Sequence, residues 1–387
     1  MTRGFTDNEP RRPYLSKQES LSRREWLYYS TLLASGVALT QTACQRPAGT
    51  SSSSSSSTAP SAPVSSSSGS ALRGADAILA KLPAVLPSRA PDNWQWIENR
   101  RAQVGLLMIS TAAPFLAGYR KAFDIEARRL NLEVIALDAN NDPARQAAQA
   151  EDLIGKRVDV LCFWPVDAKA IVPSVRKAYE AGIPLVCTNS WTDESVLPCF
   201  RSFVGASMVE EGIIAAQLMA EALNGQGKIA IIEGNPGQDA AYWRSTAFID
   251  ELKRLAPNIQ ILDRQTARWD RARATAVAEN YLTTYQDLNA IMAQDDNMAV
   301  GALQAIKAAG RLQQVKLVSI NSSKEGLEAI LAGEMYGSCT QSPSFEGINT
   351  ARVARDVANG WPPVPRWVRN PVMRVDKTNA RQVFGEW

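Results

Sequence analysis

Two open α/β sheets, each parallel and covered by helices on both faces, are the fold class that the sequence predicts. Three observations lead there. From Gln103 onward, short apolar runs alternate with helix-period stretches, the pattern of repeated βα units. Eight such runs are legible, and that many strands divide more readily into two sheets than one. The chain has 387 residues, 45% of them hydrophobic, enough for more than one core, since single domains usually run to about 100–200 residues.

In chain order, Val104 to Ile109 is apolar and ends at Ser110, and Glu133 to Leu137 ends at Asp138. Val158 to Trp164 ends at Pro165, and Pro184 to Cys187 ends at Thr188 and Asn189. The pattern resumes at Lys228 to Ile232, Ile259 to Leu262, Ala290 to Ala293 and Lys316 to Ile320. A crossing between sheets is expected near Val204 to Ser207, with a return near Gln341 to Ser344. The best-defined unit runs from Asn289 to Gly310. Ile291 to Ala293 reads as a buried strand; after Asp296, the residues Ala299, Leu303 and Ile306 recur at helical spacing, and Gly310 stands where a helix would stop. Asp295 and Asp296 thus sit where a strand ends and a helix starts, a place where a carboxylate caps free N–H groups and offsets the helix dipole. That corner is also where ligands bind in open α/β sheets. Capping alone is the plainer alternative.

Composition excludes several chemistries. Histidine is absent, which removes Ser-His and Cys-His nucleophile pairs and every His-ligated metal. An enzyme would have to work with carboxylates alone, and adjacent aspartates at a helix cap are poor acid–base candidates; no catalytic residue, cofactor or metal is expected. Lys plus Arg total 42 against 39 Asp plus Glu, and no basic run is interleaved with aromatics, so a nucleic-acid partner is not expected. The five cysteines include no close-spaced pair of the kind that binds zinc or exchanges thiols. Cys187 and Cys199 are either free thiols or a disulfide of the sort that an exported protein permits.

Ser22 to Leu27 reads SRREWL, a twin-arginine pattern, followed by a modestly apolar run and then Cys44. That run is shorter than the roughly 20 residues of a membrane-spanning helix. Cys44 is the expected lipid-attachment site, with Gln41 where such sites usually carry Leu. Ser51 to Ser57 and Ser65 to Ser68 are serine runs, with Pro60 and Pro63 between them; such a stretch buries too little to fold and reads as a tether.

Beyond the tether, several motifs occur in a familiar order: STAAPF at Ser110, LDANNDPARQAAQAEDLI from Leu137, AGIPLV from Ala181, IEGNPGQDAAYWRSTAF from Ile232, AQDDNMAVGALQAIKAAG from Ala293 and SINSSKEGLEAILAG from Ser319. From about Gln103 to Asp376 the chain resembles the sugar-binding proteins of bacterial ABC transporters, the type I periplasmic group that includes the ribose-binding proteins. The resemblance implies two doubly wound parallel-sheet lobes joined by a three-crossover hinge, closing on a small polyhydroxy ligand and docking as a monomer on an ABC transporter permease. It sets the expected boundaries: a signal segment over 1–43, a tether over 44–99, one lobe from 100–206 plus 342–370, and the other from 207–341 plus 371–387.

Carried over position by position, the resemblance makes Phe115 a ring that stacks on the ligand and Trp269 its counterpart in the second lobe. Asn189 and Asn321 stand where the pattern has aspartates, Arg244 matches the arginine of the second lobe, Asp295 matches a polar residue, and Gln341 a glutamine near the hinge. These types suit a sugar, which presents hydroxyls at its edge and C–H faces above and below. The departures set the ligand apart. Two acids of the pentose pattern are amides here, Ser190 replaces a further arginine, and Ala113 replaces an asparagine. Trp164, Trp191 and Trp243 add aromatic surface nearby. A less charged, more apolar pocket follows, and with it a carbohydrate or polyol other than simple ribose. The GNPG loop, Gly234 to Gly237, lacks the Lys-Ser/Thr of a phosphate loop and reads as a tight loop at the cleft. A sensory protein that hands a signal molecule to a membrane receptor is the alternative use of the same fold.

Overall fold

Strand β1 (Gln103–Met108) is apolar from Val104 to Met108 and buried over the same residues, as a strand covered on both faces must be. Around it, in the computed structural model, the chain builds two six-stranded sheets. The structure describes residues 101–360 and 364–387; the expected signal segment, the expected tether and Cys44 lie outside the described residues.

The first sheet contains β1, β2 (Glu133–Asp138), β3 (Val160–Phe163), β4 (Leu185–Thr188), β5 (Phe200–Gly205) and, from far along the chain, β11 (Trp367–Arg369), in the order β11-β5-β4-β3-β1-β2. All its pairings are parallel. The second contains β6 (Gln226–Glu233), β7 (Asn258–Thr266), β8 (Ala290–Ala293), β9 (Lys316–Val318), β10 (Gly337–Cys339) and β12 (Arg374–Asp376), in the order β12-β10-β9-β8-β6-β7. Only β12 runs antiparallel. The two orders are the same pattern used twice. In each, the strand order reverses beside the first strand of the sheet, which opens a crevice at the strand C-termini.

The connections are helices: α1 (Pro114–Arg129), α2 (Pro143–Gly155) and α3 (Val172–Glu180) in the first half, then α4 (Met208–Ala222), α5 (Asp239–Leu255), α6 (Arg271–Thr284), α7 (Asp296–Ala308), α8 (Lys324–Ala332) and α9 (Pro343–Ala358). Local chemistry starts them. Asp142, Ser207, Asp270, Asp295, Ser323 and Ser342 each accept a backbone N–H of the first turn, and proline opens α1, α2 and α9.

Each sheet has its own buried cores, one on either face: residues around Leu106, Phe123 and Ala354 or around Leu107, Phe163 and Phe203 in the first, and around Ile291, Leu303 and Ile330 or around Ile229, Phe248 and Met292 in the second. The chain passes between sheets three times: from β5 to α4 at Ala206–Ser207, from β10 to α9 at residues 340–342, and from β11 to β12 at residues 370–373. The four cysteines among the described residues are free. Cys187 is buried, its thiol donates to the Ser190 carbonyl at 3.0 Å, and so it is not paired with Cys199.

Candidate functional site

The site is assembled from the turns that leave the C-terminal ends of strands. β1 delivers Phe115, β3 delivers Trp164, and β4 delivers Asn189 and Ser190. β6 leads to Gln238 and Arg244, β7 to Trp269, β8 to Asp295, β9 to Asn321 and β10 to Gln341. All ten line one cavity of about 330 Å³ between the two sheets, a size usual for small-molecule sites. Trp191 and Trp243 do not line it. Trp191 is buried in the first lobe, stacked on Phe203 with ring centroids 3.5 Å apart, and Trp243 packs against the same core. Their expected place in the pocket is therefore corrected: both are packing residues, turned away from the cleft after Asn189 and along α5.

Five of the lining residues hold backbones in the left-handed region: Asn141 at φ 59°, Asn189 at 59°, Arg268 at 55°, Trp269 at 62° and Asn321 at 105°. Asparagine enters that region readily, but tryptophan does not, and such strain gathers at binding sites. What fixes Trp269 is visible around it. Its indole lies over Gly234, where a Cβ would come within 1.8 Å of the ring. Its Nε1–H donates to Gln238 Oε1 at 2.6 Å, and the Arg244 guanidinium sits 5.7 Å from its centroid. The GNPG loop is thus the bed of the second-lobe aromatic.

Arg244 is only 4% exposed, so it is no solvated helix charge. Its Nε donates to Glu211 Oε2 at 2.7 Å, Nη1 to the Gln294 carbonyl at 2.8 Å, and Nη2 to Gln341 Oε1 at 2.7 Å. Burial disfavours its charge, but the Glu211 carboxylate more than offsets this and holds its pKa above the ordinary arginine value. Of five N–H groups, two remain for a ligand.

From Arg244 a buried polar relay continues toward the first lobe. Gln341 Oε1 also accepts Asn321 Nδ2 at 2.6 Å, and Gln341 Nε2 donates to Glu346 Oε1 at 3.0 Å. Glu346 in turn accepts Asn189 Nδ2 at 2.7 Å and Asn370 Nδ2 at 2.9 Å. Burial pushes the Glu346 carboxyl up to about 7 against these bonds. Gln341 is largely consumed by the relay, whereas Asn189, whose Oδ1 accepts the Ser190 hydroxyl at 3.2 Å, and Asn321 each keep one N–H and one acceptor position. Asp295 caps α7 through Oδ1, which accepts Met298 N–H at 2.7 Å, and leaves its second oxygen for the cavity. Burial raises its pKa to about 7, against the Met298 bond and the nearby Arg244 charge. Asp296 does something else: wholly buried, it accepts Ser319 Oγ at 2.5 Å, Ser323 N–H at 2.5 Å and Ser338 Oγ at 3.1 Å, tying the start of α8 to the strand ends.

Two donors here have no hydrogen-bond partner among the described residues although both are buried: Trp164 Nε1 and Gln238 Nε2. Because Trp269 can only donate, it fixes the Gln238 amide with its oxygen toward the indole and its NH₂ free. Gln238 was not among the residues expected from sequence. Its signal was its place between the GNPG loop and α5, but its role depends on an indole 31 positions away. The arrangement offers flat rings from both lobes, at least two carbonyl-type acceptors, one carboxylate and several N–H donors, which is what an oxygen-rich, ring-faced molecule requires.

The periplasmic binding protein domain family matches residues 104–361. Among curated proteins, the ribose import binding protein RbsB of Bacillus subtilis is 29% identical over 277 residues, spanning 70% of this chain and 88% of that protein. The xylitol-binding protein of Mycolicibacterium smegmatis is 33% identical over 233 residues, 60% of this chain and 65% of its own length. Among solved structures, an ABC transporter solute binding protein from Bacillus halodurans with bound myo-inositol superposes with a TM-score of 0.69 at 28% identity, covering 73% of this chain and 96% of that one.

Proposed function

This chain belongs to the periplasmic binding protein domain family, and from that premise we propose that it is an extracytoplasmic solute-binding protein that captures an uncharged sugar or polyol and delivers it to the permease of an ABC importer. The observation that carries this reading is the cavity itself: Phe115 from one lobe and Trp269 from the other, with Arg244, Asp295, Asn189 and Asn321 at its edge. Phe115, Trp269, Trp164 and Gln238 serve as faces and donors, Arg244 and Asp295 as the charged pair, and Asn189, Asn321 and Ser190 as neutral edge groups. Gln341 holds the others in place. Amides where a pentose site carries acids make each hydrogen bond roughly half as strong as a charge-assisted one, which favours a polyol or carbohydrate other than simple ribose.

Binding is a population shift: contacts from both lobes favour the closed form, which the permease recognises. No bond is broken. Micromolar affinity needs only about −8 kcal/mol net, within reach of a few such bonds and two stacked rings. In this reading the export segment over residues 1–43 takes the chain across the cytoplasmic membrane and a lipid on Cys44 holds it there. Among the described residues, no helix is long and apolar enough to cross a membrane.

The test is a thermal-shift panel of pentoses, hexoses, polyols and inositols, followed by calorimetry. A compound present at a hundredfold excess over its dissociation constant adds about 2.7 kcal/mol of stability. A shift with a polyol or hexose and little with D-ribose is expected. Tight D-ribose binding would remove the ligand assignment, and chemical turnover of a bound compound would remove the binding-protein reading altogether.

A further inference from the structure

The segment that follows β12 runs from the core of the second lobe to the rim of the first. Ala380 is buried in the core around Ile291, and Val383 packs against it. Gly385 then lies so close to the first turn of α8 that a Cβ would come within 2.5 Å of Lys324 Cα, and Lys324 N–H donates to the Trp387 carbonyl at 2.8 Å. Glu386 takes the start of α9, the helix that packs on α1. Its Oε2 accepts Ser344 N–H at 3.0 Å and its Oε1 accepts the Ser342 hydroxyl, a favoured place for a carboxylate at the positive end of a helix.

Trp387 completes the path. Its indole stands edge-on to Phe115, centroids 5.7 Å apart and planes at 89°. On another side Phe115 meets Trp164, 6.2 Å away at 87°. Phe115 lines the cavity and Trp387 does not. Phe115 is half-buried on the first turn of α1, a place that does not by itself fix a ring. Two perpendicular aromatic contacts do, and one of them comes from a segment anchored in the opposite lobe.

We propose that Glu386 and Trp387 form a strap that joins α8, the start of α9 and the Phe115 ring, and that they are positioning residues for ligand binding although neither reaches the cavity. The inference rests on the reading of that cavity as a sugar or polyol site. The strap acts in two ways. It orders the Phe115 ring before the ligand arrives, sparing the cost of immobilising a side chain on binding, and it favours the arrangement in which both lobes face the same ligand.

The experiment is calorimetry of the full chain with D-ribose, D-allose, xylitol and myo-inositol as probes, on the unaltered protein and on Trp387→Ala, Trp387→Phe and Glu386→Gln. For whichever probe binds, Trp387→Ala should weaken binding about three- to tenfold, the worth of an edge-to-face pair. Trp387→Phe, which restores an aromatic edge, should bring affinity back to near that of the unaltered protein, and Glu386→Gln should fall between. Ligand-free unfolding temperatures of the three variants should stay close to one another. Equal affinity for Trp387→Ala and the unaltered protein overturns the strap while leaving the cavity reading intact. So does a loss of affinity that Trp387→Phe fails to restore and that follows the ligand-free unfolding temperature. If the unaltered protein binds none of the probes, the cavity reading fails first and takes the strap with it.

Discussion

Gly234 and Trp269 depend on each other. The ring occupies the space that a β-carbon at 234 would need, and its backbone is held in a conformation that a bulky side chain avoids. Gly234→Ala should therefore eject the indole, release Gln238 and weaken binding of the best panel compound at least about tenfold, read by calorimetry. Arg244→Ala should cost more. It deprives the buried Glu211 carboxylate of its guanidinium partner and removes two N–H groups from the cavity, so the ligand-induced thermal shift should vanish and ligand-free stability should fall by about 3–5 kcal/mol. An unchanged shift in that variant would mean that the ligand sits elsewhere. Residue types and motif order brought Phe115, Asn189, Arg244, Trp269, Asp295, Asn321 and Gln341 to notice. They did not reveal that Trp191 and Trp243 face a core or that Gln238 faces the cavity, because neighbours distant in sequence decide which way those side chains turn.

Four buried acids stand at helix starts. Asp239 opens α5, Asp295 and Asp296 open α7, and Glu346 lies in the first turn of α9. All four are buried, and burial raises their pKa values, to about 7 for Asp239, Asp295 and Glu346 and to about 6 for Asp296. The ordinary values are 3.8 for aspartate and 4.5 for glutamate. Between those values and the raised ones the folded state holds more protons than the unfolded state. The stability these groups contribute is complete below about pH 4 and is lost as pH rises through 6 to 7. Thermal unfolding at constant ionic strength should accordingly show a higher midpoint near pH 5 than near pH 8, and Glu346→Gln should flatten that slope. A midpoint that rises over the same interval would contradict it. Strands β1 to β4 and β6 to β9 were readable as apolar runs, β9 because its run continues to Ile320. Strand β5, with Arg201 and Ser202 interrupting its apolar residues, was not, and β10, β11 and β12, three residues each, are too short to carry a period. The partners of β11 and β12 come from across a crossing, so no local signal marks those two.

At the scale of the whole molecule, two sheets of one strand order face each other across a cleft, joined by three passages of the chain. Alternating runs of two periods made that fold class legible; the pairing of β11 with β5 and of β12 with β10 was not, since nothing in a three-residue run names its neighbour. Small-angle X-ray scattering with and without a bound panel compound should show a smaller radius of gyration with it, and no change would argue against closure.

The buried relay from Glu211 through Arg244, Gln341 and Glu346 to Asn189 lies beside the chain passages, where a rotating body has its shortest lever arm. Bonds there are stretched least by rotation. Other bonds also join the halves: Asn235 to Asn141 at 3.2 Å, Ala168 N–H to the Gly237 carbonyl at 3.1 Å, and the buried Trp191 N–H to Asp239 at 2.7 Å. A stiff axle lets the halves swing along one arc, and opening along it must break these bonds together with the contacts that Glu386 and Trp387 make with the first lobe.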